Sequence, residues 1–329
     1  MTATTPTHVD SSIPELFAKL TLRDHLRGGF WANLTGPEGS RSAVIRREDL
    51  VSQPGDTIHI QVTSPLSGSG QTGDTATLEG NEENLTSSSL KVIPLFYRHG
   101  VRWYRRANKK SLIDLRGEAR MRLAEWGGEK MDDVRFANFT SSAMLNGEEY
   151  APNVRVIGGG TDAGDVATTD VLTVAELQLV KLALYNQRAL PLRTKSGEDV
   201  FAMVCHQNTL HDLKRESEYR EWVREAAVRG EENPFFRGAV AMIDGMLLFQ
   251  HSNVPVIADG ATASNDVSRN IAFGAEAFIE GVDESPSWEE DDFDYKAQFG
   301  IGYEFGFQPR RALAKNSLIV LADATDPLA

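Results

Sequence analysis

Cysteine is nearly absent from this sequence, since Cys205 is the only one among 329 residues. A single thiol excludes an intrachain disulfide, and it excludes a metal site built from several thiolates. Nothing in the cysteine usage therefore requires an oxidising compartment, and a reducing cytoplasm fits.

Long apolar runs and an excess of positive charge are also missing. No stretch approaches the roughly 18 apolar residues that a membrane span needs. Residues 1–30 show no basic segment followed by an apolar core, so no classical export signal is indicated. The formal net charge is -13 and the isoelectric point is near 5.1. This charge argues against a protein that coats nucleic acid or binds an anionic membrane.

One glycine-rich stretch, Gly68-Ser69-Gly70-Gln71-Thr72-Gly73, has the spacing of a dinucleotide-binding fingerprint. That fingerprint works only between a strand and a helix, whose N-terminus holds the pyrophosphate. Residues 56–62 alternate as a strand does, but a polar run follows Gly73, and residues 90–97 are again strand-like. The pattern predicts a long β-hairpin with a polar tip, and not a nucleotide site.

Helices and strands are predicted elsewhere without a regular βαβ alternation, which favours the α+β class. Residues 98–126 are basic and then helical, with an apolar stripe that we expect to end at Gly127-Gly128. Thr173-Val-Ala-Glu176 predicts the start of a second helix through a capping box. A third helix is predicted over 216–229, and strands over 201–205 and 317–321.

Two groups of residues could carry chemistry. Cys205-His206 and His211-Asp212 nominally supply a nucleophile, a base and a carboxylate, but a zinc site would need a second ligand pair. The favoured interpretation is that Cys205 and His206 end a buried strand and that His211 lies on a helix surface. The acidic run 283–294 lacks the ligand order of a calcium loop and is predicted to be a solvated loop. We expect no catalytic residue, cofactor or metal site.

The order of these elements resembles the major capsid proteins of tailed phages, which share the Johnson fold. The similarity is most specific to the coat-protein family typified by schitovirus-type podophages, and it covers about residues 28–321. It is carried by the strings Gly55-Asp-Thr-Ile, Pro65-Leu-Ser-Gly-Ser-Gly, Leu78 to Leu85, Val204-Cys-His206, Leu210 to Lys214, Asn233-Pro-Phe-Phe-Arg-Gly238 and Asp244-Gly245.

The resemblance implies a division of the chain. Its segments would be an N-terminal arm (1–54), an extended β-hairpin loop (55–97), the spine helix with the peripheral domain (98–170), the axial domain (171–270) and return strands that complete both domains (271–329). The arm carries scattered apolar residues, so we expect it to become ordered only against other subunits.

The resemblance also implies a structural role, in which copies of the chain form hexamers and pentamers of an icosahedral shell around double-stranded DNA. The shell would be assembled in the host cytoplasm with a portal and a separate scaffolding protein, because no long helical leader precedes the arm. Decoration proteins are compatible with it, and neither a membrane nor sequence-specific DNA binding is implied. Two alternatives stay open: a non-viral compartment shell of the same fold, and a cytosolic hydrolase using Cys205 and His206.

Charge predicts how the hairpin meets a neighbouring subunit. Residues 48–90 contain seven acids and no Lys or Arg, whereas residues 98–122 contain nine bases and two acids, so the segments carry -7 and +7. The absence of lysine also argues against a covalent cross-link through the loop. The predicted contact residues are Glu79, Glu82 and Glu83 on the loop, and Arg102, Arg105, Arg106, Lys109 and Lys110 on the neighbour.

Overall fold

In the computed structural model, three β-sheets and one long helix organise the described part of the chain. The structure describes residues 30–52, 55, 57–63, 66, 68–73, 77–85, 87–104, 106, 114–145, 148–193, 199–221, 241–262, 265–293, 298–312 and 314–326. Within these ranges strands and helices occur in mixed order, which confirms the predicted α+β class.

The elements with defined bounds are as follows. The helices are α1 (Asp49–Ser52), α2 (Leu115–Thr140), α3 (Val174–Asn186) and α4 (Gln207–Arg215), and short 3-10 turns lie at Trp31–Leu34, Ala163–Asp165 and Ala314–Asn316. The strands are β1 (Thr35–Gly36), β2 (Val44–Arg47), β3 (Ile58–Thr63), β4 (Ser87–Val92), β5 (Leu95–Tyr104), β6 (Ala143–Leu145), β7 (Glu148–Tyr150), β8 (Val154–Val156), β9 (Leu192–Arg193), β10 (Asp199–Cys205), β11 (Ala241–Ile243), β12 (Met246–Gln250), β13 (Val256–Ile257), β14 (Val267–Phe273), β15 (Phe278–Phe293), β16 (Gln298–Arg311) and β17 (Ser317–Asp323).

The three sheets differ in strand order and in the elements that pack on them. The first has the order β1-β2-β15-β16-β5, and α2 packs against its β16 strand. The second follows β11-β12-β10-β14-β17-β8, with β13 beside β14 and β9 beside β10, and α3 contributes buried apolar residues to its core. The third, β3-β4-β6-β7, contains the predicted hairpin. The described residues of that hairpin's tip, 66, 68–73 and 77–85, lie outside the sheets.

The hairpin prediction is correct for its first strand and too long for its second. β3 and β4 pair antiparallel from Ile58 opposite Val92 to Thr63 opposite Ser87. The predicted strand 90–97 is two strands, because β4 ends before Pro94 and β5 begins after it in another sheet. Proline has no N–H for a ladder, so a break at this position is expected. No helix follows Gly73 in the described residues up to Leu85.

The long helix begins later and ends later than predicted. The basic residues 98–104 belong to β5, and α2 starts at Leu115, where Asp114 caps it by accepting a hydrogen bond from the N–H of Arg116. The helix then passes through Gly127-Gly128, so the prediction that it ends there is wrong. A Cβ at Gly127 would lie 2.3 Å from Cε1 of Tyr303. The glycine is therefore required by the close approach of α2 to β16, and not by a helix end.

The acidic run is a strand and not a solvated loop. Residues 283–293 of the run lie within β15, which pairs with β16 from Phe278 opposite Arg311 to Phe293 opposite Gln298, and Asp294 lies outside the described residues. Glu290 accepts hydrogen bonds from Arg116 and Arg120 of α2, and the Trp288 ring packs on Tyr303 at 4.6 Å. The two arginines neutralise the charge of Glu290, and Tyr303 covers part of the Trp288 ring. Both contacts favour a strand at this position.

Residues 30–47 pack on their own subunit. Trp31 and Val44 are fully buried in one apolar cluster, and β2 pairs parallel with β15. The expectation that the segment orders only against other subunits is wrong for these residues. Residues 1–29 lie outside the described residues.

Other local predictions are confirmed in whole or in part. Thr173 caps α3 by accepting from the N–H of Glu176, which is half of the predicted capping box, while the Glu176 carboxylate accepts from Arg155. β10 and β17 cover the two predicted strands. For the predicted helix 216–229, residues 217–221 are helical and the remainder lies outside the described residues.

The two adjacent glycines of α2 give a matched test. Gly127→Ala should lower the free energy of unfolding by about 1–3 kcal/mol, because the methyl group overlaps the Tyr303 ring. Gly128→Ala should raise it by up to about 1 kcal/mol, because nothing lies within 4 Å and alanine favours the helix. Urea unfolding of the unassembled subunit measures both variants. Equal effects of the two substitutions would contradict the close-packing explanation.

Candidate assembly interface

A buried ionic network fixes the body from which the hairpin extends. The Arg135 side chain of α2 donates to both carboxylate oxygens of Glu280, from Nε at 2.9 Å and from Nη2 at 3.1 Å. Its Nη1 donates to Asp132 at 3.2 Å, and the second oxygen of Asp132 accepts from the N–H of Phe30 at 2.7 Å. The three charged residues are at most 5% exposed. The network thereby joins α2, β15 and the segment before β1.

Aromatic rings surround this network and extend it. Trp31 contacts Phe136 and Phe139 of α2, and it also contacts Phe273 and Phe278 of the two large sheets, with ring centroids 4.9–5.5 Å apart. Because these rings come from four elements, the relative positions of α2 and both sheets are fixed by one cluster.

The Cys205 region is structural. Cys205 is fully buried, and burial raises the pKa of its thiol to about 12, so the thiolate that a nucleophile needs does not form at neutral pH. His206 caps α4, where its Nδ1 accepts from the N–H of Asn208, and burial lowers its pKa although Asp266 opposes that change. His211 lies on the helix with about half its side chain exposed and is paired with Asp212. These positions agree with the favoured interpretation from the sequence.

The predicted acidic contacts lie at the exposed tip of the hairpin. Two of them also shape the loop: Glu83 accepts from the N–H of Gly68 at 2.7 Å, and Glu82 accepts from the N–H of Gly80 at 2.8 Å. Glu79 is exposed beside them. A carboxylate that accepts a hydrogen bond within the loop can still present its charge to a neighbour. Removing it therefore takes away that charge and also a hydrogen bond that holds the loop.

The predicted basic contacts are only partly within the described residues. Arg102 is an exposed residue of β5, and Arg106 is exposed just after it. Arg105, Lys109 and Lys110 lie outside the described residues. The structure thus brings Arg102 and Arg106 to one end of β5 and does not test the other three.

Four further bases of the same segment are paired within the subunit. Arg98 pairs with Glu304 at 2.7 Å, and Arg122 pairs with Glu118 at 3.1 Å. Arg116 and Arg120 both bind Glu290. At Glu290 desolvation raises the pKa, but the hydrogen bonds and charges of the two arginines outweigh it, and the pKa is lowered. The helix therefore offers less positive charge to a neighbour than its sequence indicates.

The sequence reasoning missed a set of apolar side chains beside these charges. Leu66, Leu78 and Leu85 of the hairpin tip are 65–71% exposed, and Phe96 and Tyr104 of β5 are 51% and 61% exposed. The available signal was three leucines in an otherwise polar loop. Clustered exposed apolar groups are typical of surfaces that bind another chain, so these two places are the candidate contact surfaces.

Comparison with known proteins identifies the kind of assembly. The family model described as phage capsid protein matches residues 15–308. This chain belongs to the phage capsid protein family. The major capsid protein of Pseudomonas phage KPP25 is 25% identical over 278 residues, which is 74% of each chain.

Solved capsids share the fold. The capsid of Ralstonia phage GP4 superimposes with a TM-score of 0.79 at 22% identity, covering 95% of this chain and 97% of that one. The cyanophage Pam1 capsid gives 0.79 at 18% identity, covering 96% and 97%. The Helicobacter pylori phage KHP30 capsid gives 0.72 at 16% identity, covering 93% and 94%.

The protein is accordingly a major capsid protein, which forms the phage capsid shell with copies of itself and is not an enzyme. Neither the compartment-shell alternative nor the hydrolase alternative gains support from these relatives. None of the described helices has the length and apolar character needed to cross a membrane.

The buried thiol gives a direct test of the structural interpretation. In the folded subunit at pH 8, Cys205 should react with iodoacetamide at less than a few per cent of the rate of a denatured control, because the thiol is both covered and protonated. Mass spectrometry after timed quenching measures the modified fraction. Rapid, complete modification of the native subunit would show that the site is accessible and reactive.

Proposed function

We propose that copies of this capsid protein, arranged as hexamers and pentamers, close into an icosahedral shell that encloses double-stranded DNA. The shell is assembled in the host cytoplasm on a separate scaffolding protein and incorporates a portal, and decoration proteins are compatible with it. The observation that carries the proposal is the protruding hairpin, whose exposed leucines and acids have no cover in the described part of its own subunit. The formation of a capsid shell follows from membership of the phage capsid protein family.

The negative charge of the subunit supports an inner shell surface that binds DNA only weakly. The net charge is -13, and Arg116, Arg120 and Arg122 are paired with acids of the same subunit. Because phosphate binding needs clustered unneutralised bases, the enclosed DNA should be met through counterions without sequence-specific contacts.

Electron microscopy of particles purified from a lysate tests this proposal. Negative stain should show closed icosahedral outlines, and nuclease treatment should leave genome-length DNA protected inside them. Free subunits should bind duplex DNA weakly, and the weak binding should disappear at moderate salt. Particles that hold enzyme cargo and no DNA would contradict the proposal, and so would tight, salt-insensitive binding by free subunits.

We further propose that the tip of one subunit docks on a neighbour through opposite charge. Glu79, Glu82 and Glu83 would face Arg102, Arg105 and Arg106, with Lys109 and Lys110 nearby. Exposed ion pairs contribute only about 0–1 kcal/mol each, so the effect would depend on several pairs and would set register more than affinity.

A charge exchange tests this docking. Glu79→Lys is the cleaner loop variant, since Glu82 and Glu83 also hold the loop by hydrogen bonds. It should raise the subunit concentration needed for assembly several-fold at low salt, and adding Arg102→Glu should restore part of the loss. Light scattering during assembly measures both. Full assembly by the single variant, or no rescue by the double variant, would leave the charges with a solvating role only.

A further inference from the structure

We propose that Asn316 sets the angle between the first and second sheets, and that this angle controls the curvature of the shell. Asn316 is 1% exposed, so it acts as a positioning residue through the sheets that it joins and not by contact with a neighbouring subunit. The inference rests on the proposed assembly into a closed shell. It assigns the point in the chain at which the geometry of that shell is determined.

The chain crosses between these two sheets twice at one place. Residues 274–277 lead from β14 to β15, and residues 312–316, of which 313 lies outside the described residues, lead from β16 back to β17. The two connections run side by side, because Phe273 pairs with Ser317 at one end and Phe278 pairs with Arg311 at the other. A change in the angle between the sheets therefore bends this double connection.

Asn316 ties the two connections to each other and to a third segment. Its backbone carbonyl accepts from the N–H of Gly274 at 2.9 Å, and its side-chain Nδ2 donates to the carbonyl of Glu276 at 3.5 Å. Its Oδ1 accepts from the N–H of Leu190, between α3 and β9, at 3.1 Å. An amide side chain carries both an acceptor and a donor, so one asparagine satisfies both partners.

The surrounding backbone leaves little room for another angle. A Cβ at Gly274 would lie 2.1 Å from the carbonyl oxygen of Leu190. Glu276 has a φ of 54°, in the left-handed region that residues other than glycine seldom adopt, and its N–H donates to the carbonyl of Ser42 at 2.8 Å. Such a conformation persists only where neighbouring contacts hold it. The hydrogen bond from Asn316 to the carbonyl of Glu276 is one of these contacts.

The hydrogen bonds of Asn316 complement the aromatic cluster around Trp31. The rings of Phe273 and Phe278, which flank the connection 274–277, both contact Trp31. This packing fixes which surfaces meet, but it tolerates small rotations, because apolar burial is non-directional. Hydrogen bonds weaken steeply when donor and acceptor are misaligned. The bonds of Asn316 therefore select one angle among those that the apolar contacts allow.

A small rotation at this point has a large effect at the far end of the second sheet. β17 follows Asn316 directly and has seven residues, which span about 23 Å at about 3.3 Å each. A rotation of about 10° at its start would move its far end by about 4 Å. A closed ring repeats the same contact from one subunit to the next, so an error of this size changes the curvature or prevents closure.

Alanine substitutions with two matched controls test the inference. Asn316→Ala removes both side-chain hydrogen bonds and should raise the share of misshapen or open particles in cryo-electron micrographs about tenfold over wild type. Ser317→Ala is the neighbouring control and should give wild-type shells, because the buried Ser317 hydroxyl has no hydrogen-bond partner in the described part of the chain. Val320→Ala is the stability control, because it opens a cavity in the core of the second sheet without removing a bond of the double connection. It should lower the thermal midpoint of the subunit at least as far as Asn316→Ala does, and its shells should keep the wild-type shape.

Thermal unfolding of the unassembled subunits shows whether each variant is folded. If Asn316→Ala does not fold, Asn316→Ser is measured in its place, since a hydroxyl keeps a group that can donate and accept. Shells of wild-type diameter and closure from a folded Asn316 variant would overturn the inference. Misshapen shells from Val320→Ala would overturn it too, because they would attribute the effect to lost stability alone. Failure of the unsubstituted chain to form shells would instead contradict the proposed function, which the wild-type sample measures separately.

Discussion

The body of the subunit depends on the hydrogen-bonded ion pairs that the Arg135 guanidinium makes. This guanidinium is buried with two carboxylates, Asp132 and Glu280, and each of its three nitrogen atoms donates to one of them. Removing one member of such a group leaves an uncompensated buried charge, which typically costs about 3–5 kcal/mol. Because the spare oxygen of Asp132 binds the N–H of Phe30, the same network also fixes where the N-terminal segment crosses α2.

Fixing that crossing places Trp31 between the two large sheets, and its contacts with Phe273 and Phe278 transmit the position of α2 to both. β5 belongs to the first of these sheets, and the base of the hairpin packs on that sheet through Ile58, Leu90 and Val92, which contact Ile45 and Ile279. A shell needs subunits whose donor and acceptor surfaces keep a constant geometry, since a small angular error repeated around a ring prevents closure. The buried network supplies this rigidity, while hydrogen bonds from the N–H groups of Gly68 and Gly80 to Glu83 and Glu82 hold the described part of the tip.

Sequence reasoning succeeded where the signal is local. A few neighbouring residues are enough to predict each of these features: the cap at Thr173, the strand before the hairpin tip, and the buried strands β10 and β17. Sequence reasoning failed where the stabilising partner is distant. Gly127 resembles a helix end unless Tyr303 is known to lie on it, and the acidic run resembles a loop unless Arg116 and Arg120 are known to reach Glu290.

The same limit applies to the candidate interface. The sequence assigns charges of -7 and +7 to two segments, but Arg98, Arg116, Arg120 and Arg122 are paired with acids of their own subunit, and Glu82 and Glu83 hold the loop. Less charge therefore remains for recognition than a count indicates. Exposed pairs are also weakened by salt, whereas burial of leucine against aromatic rings is not. Charge is thus suited to orienting the tip as subunits approach, whereas burial of its exposed leucines against another subunit would hold it afterwards.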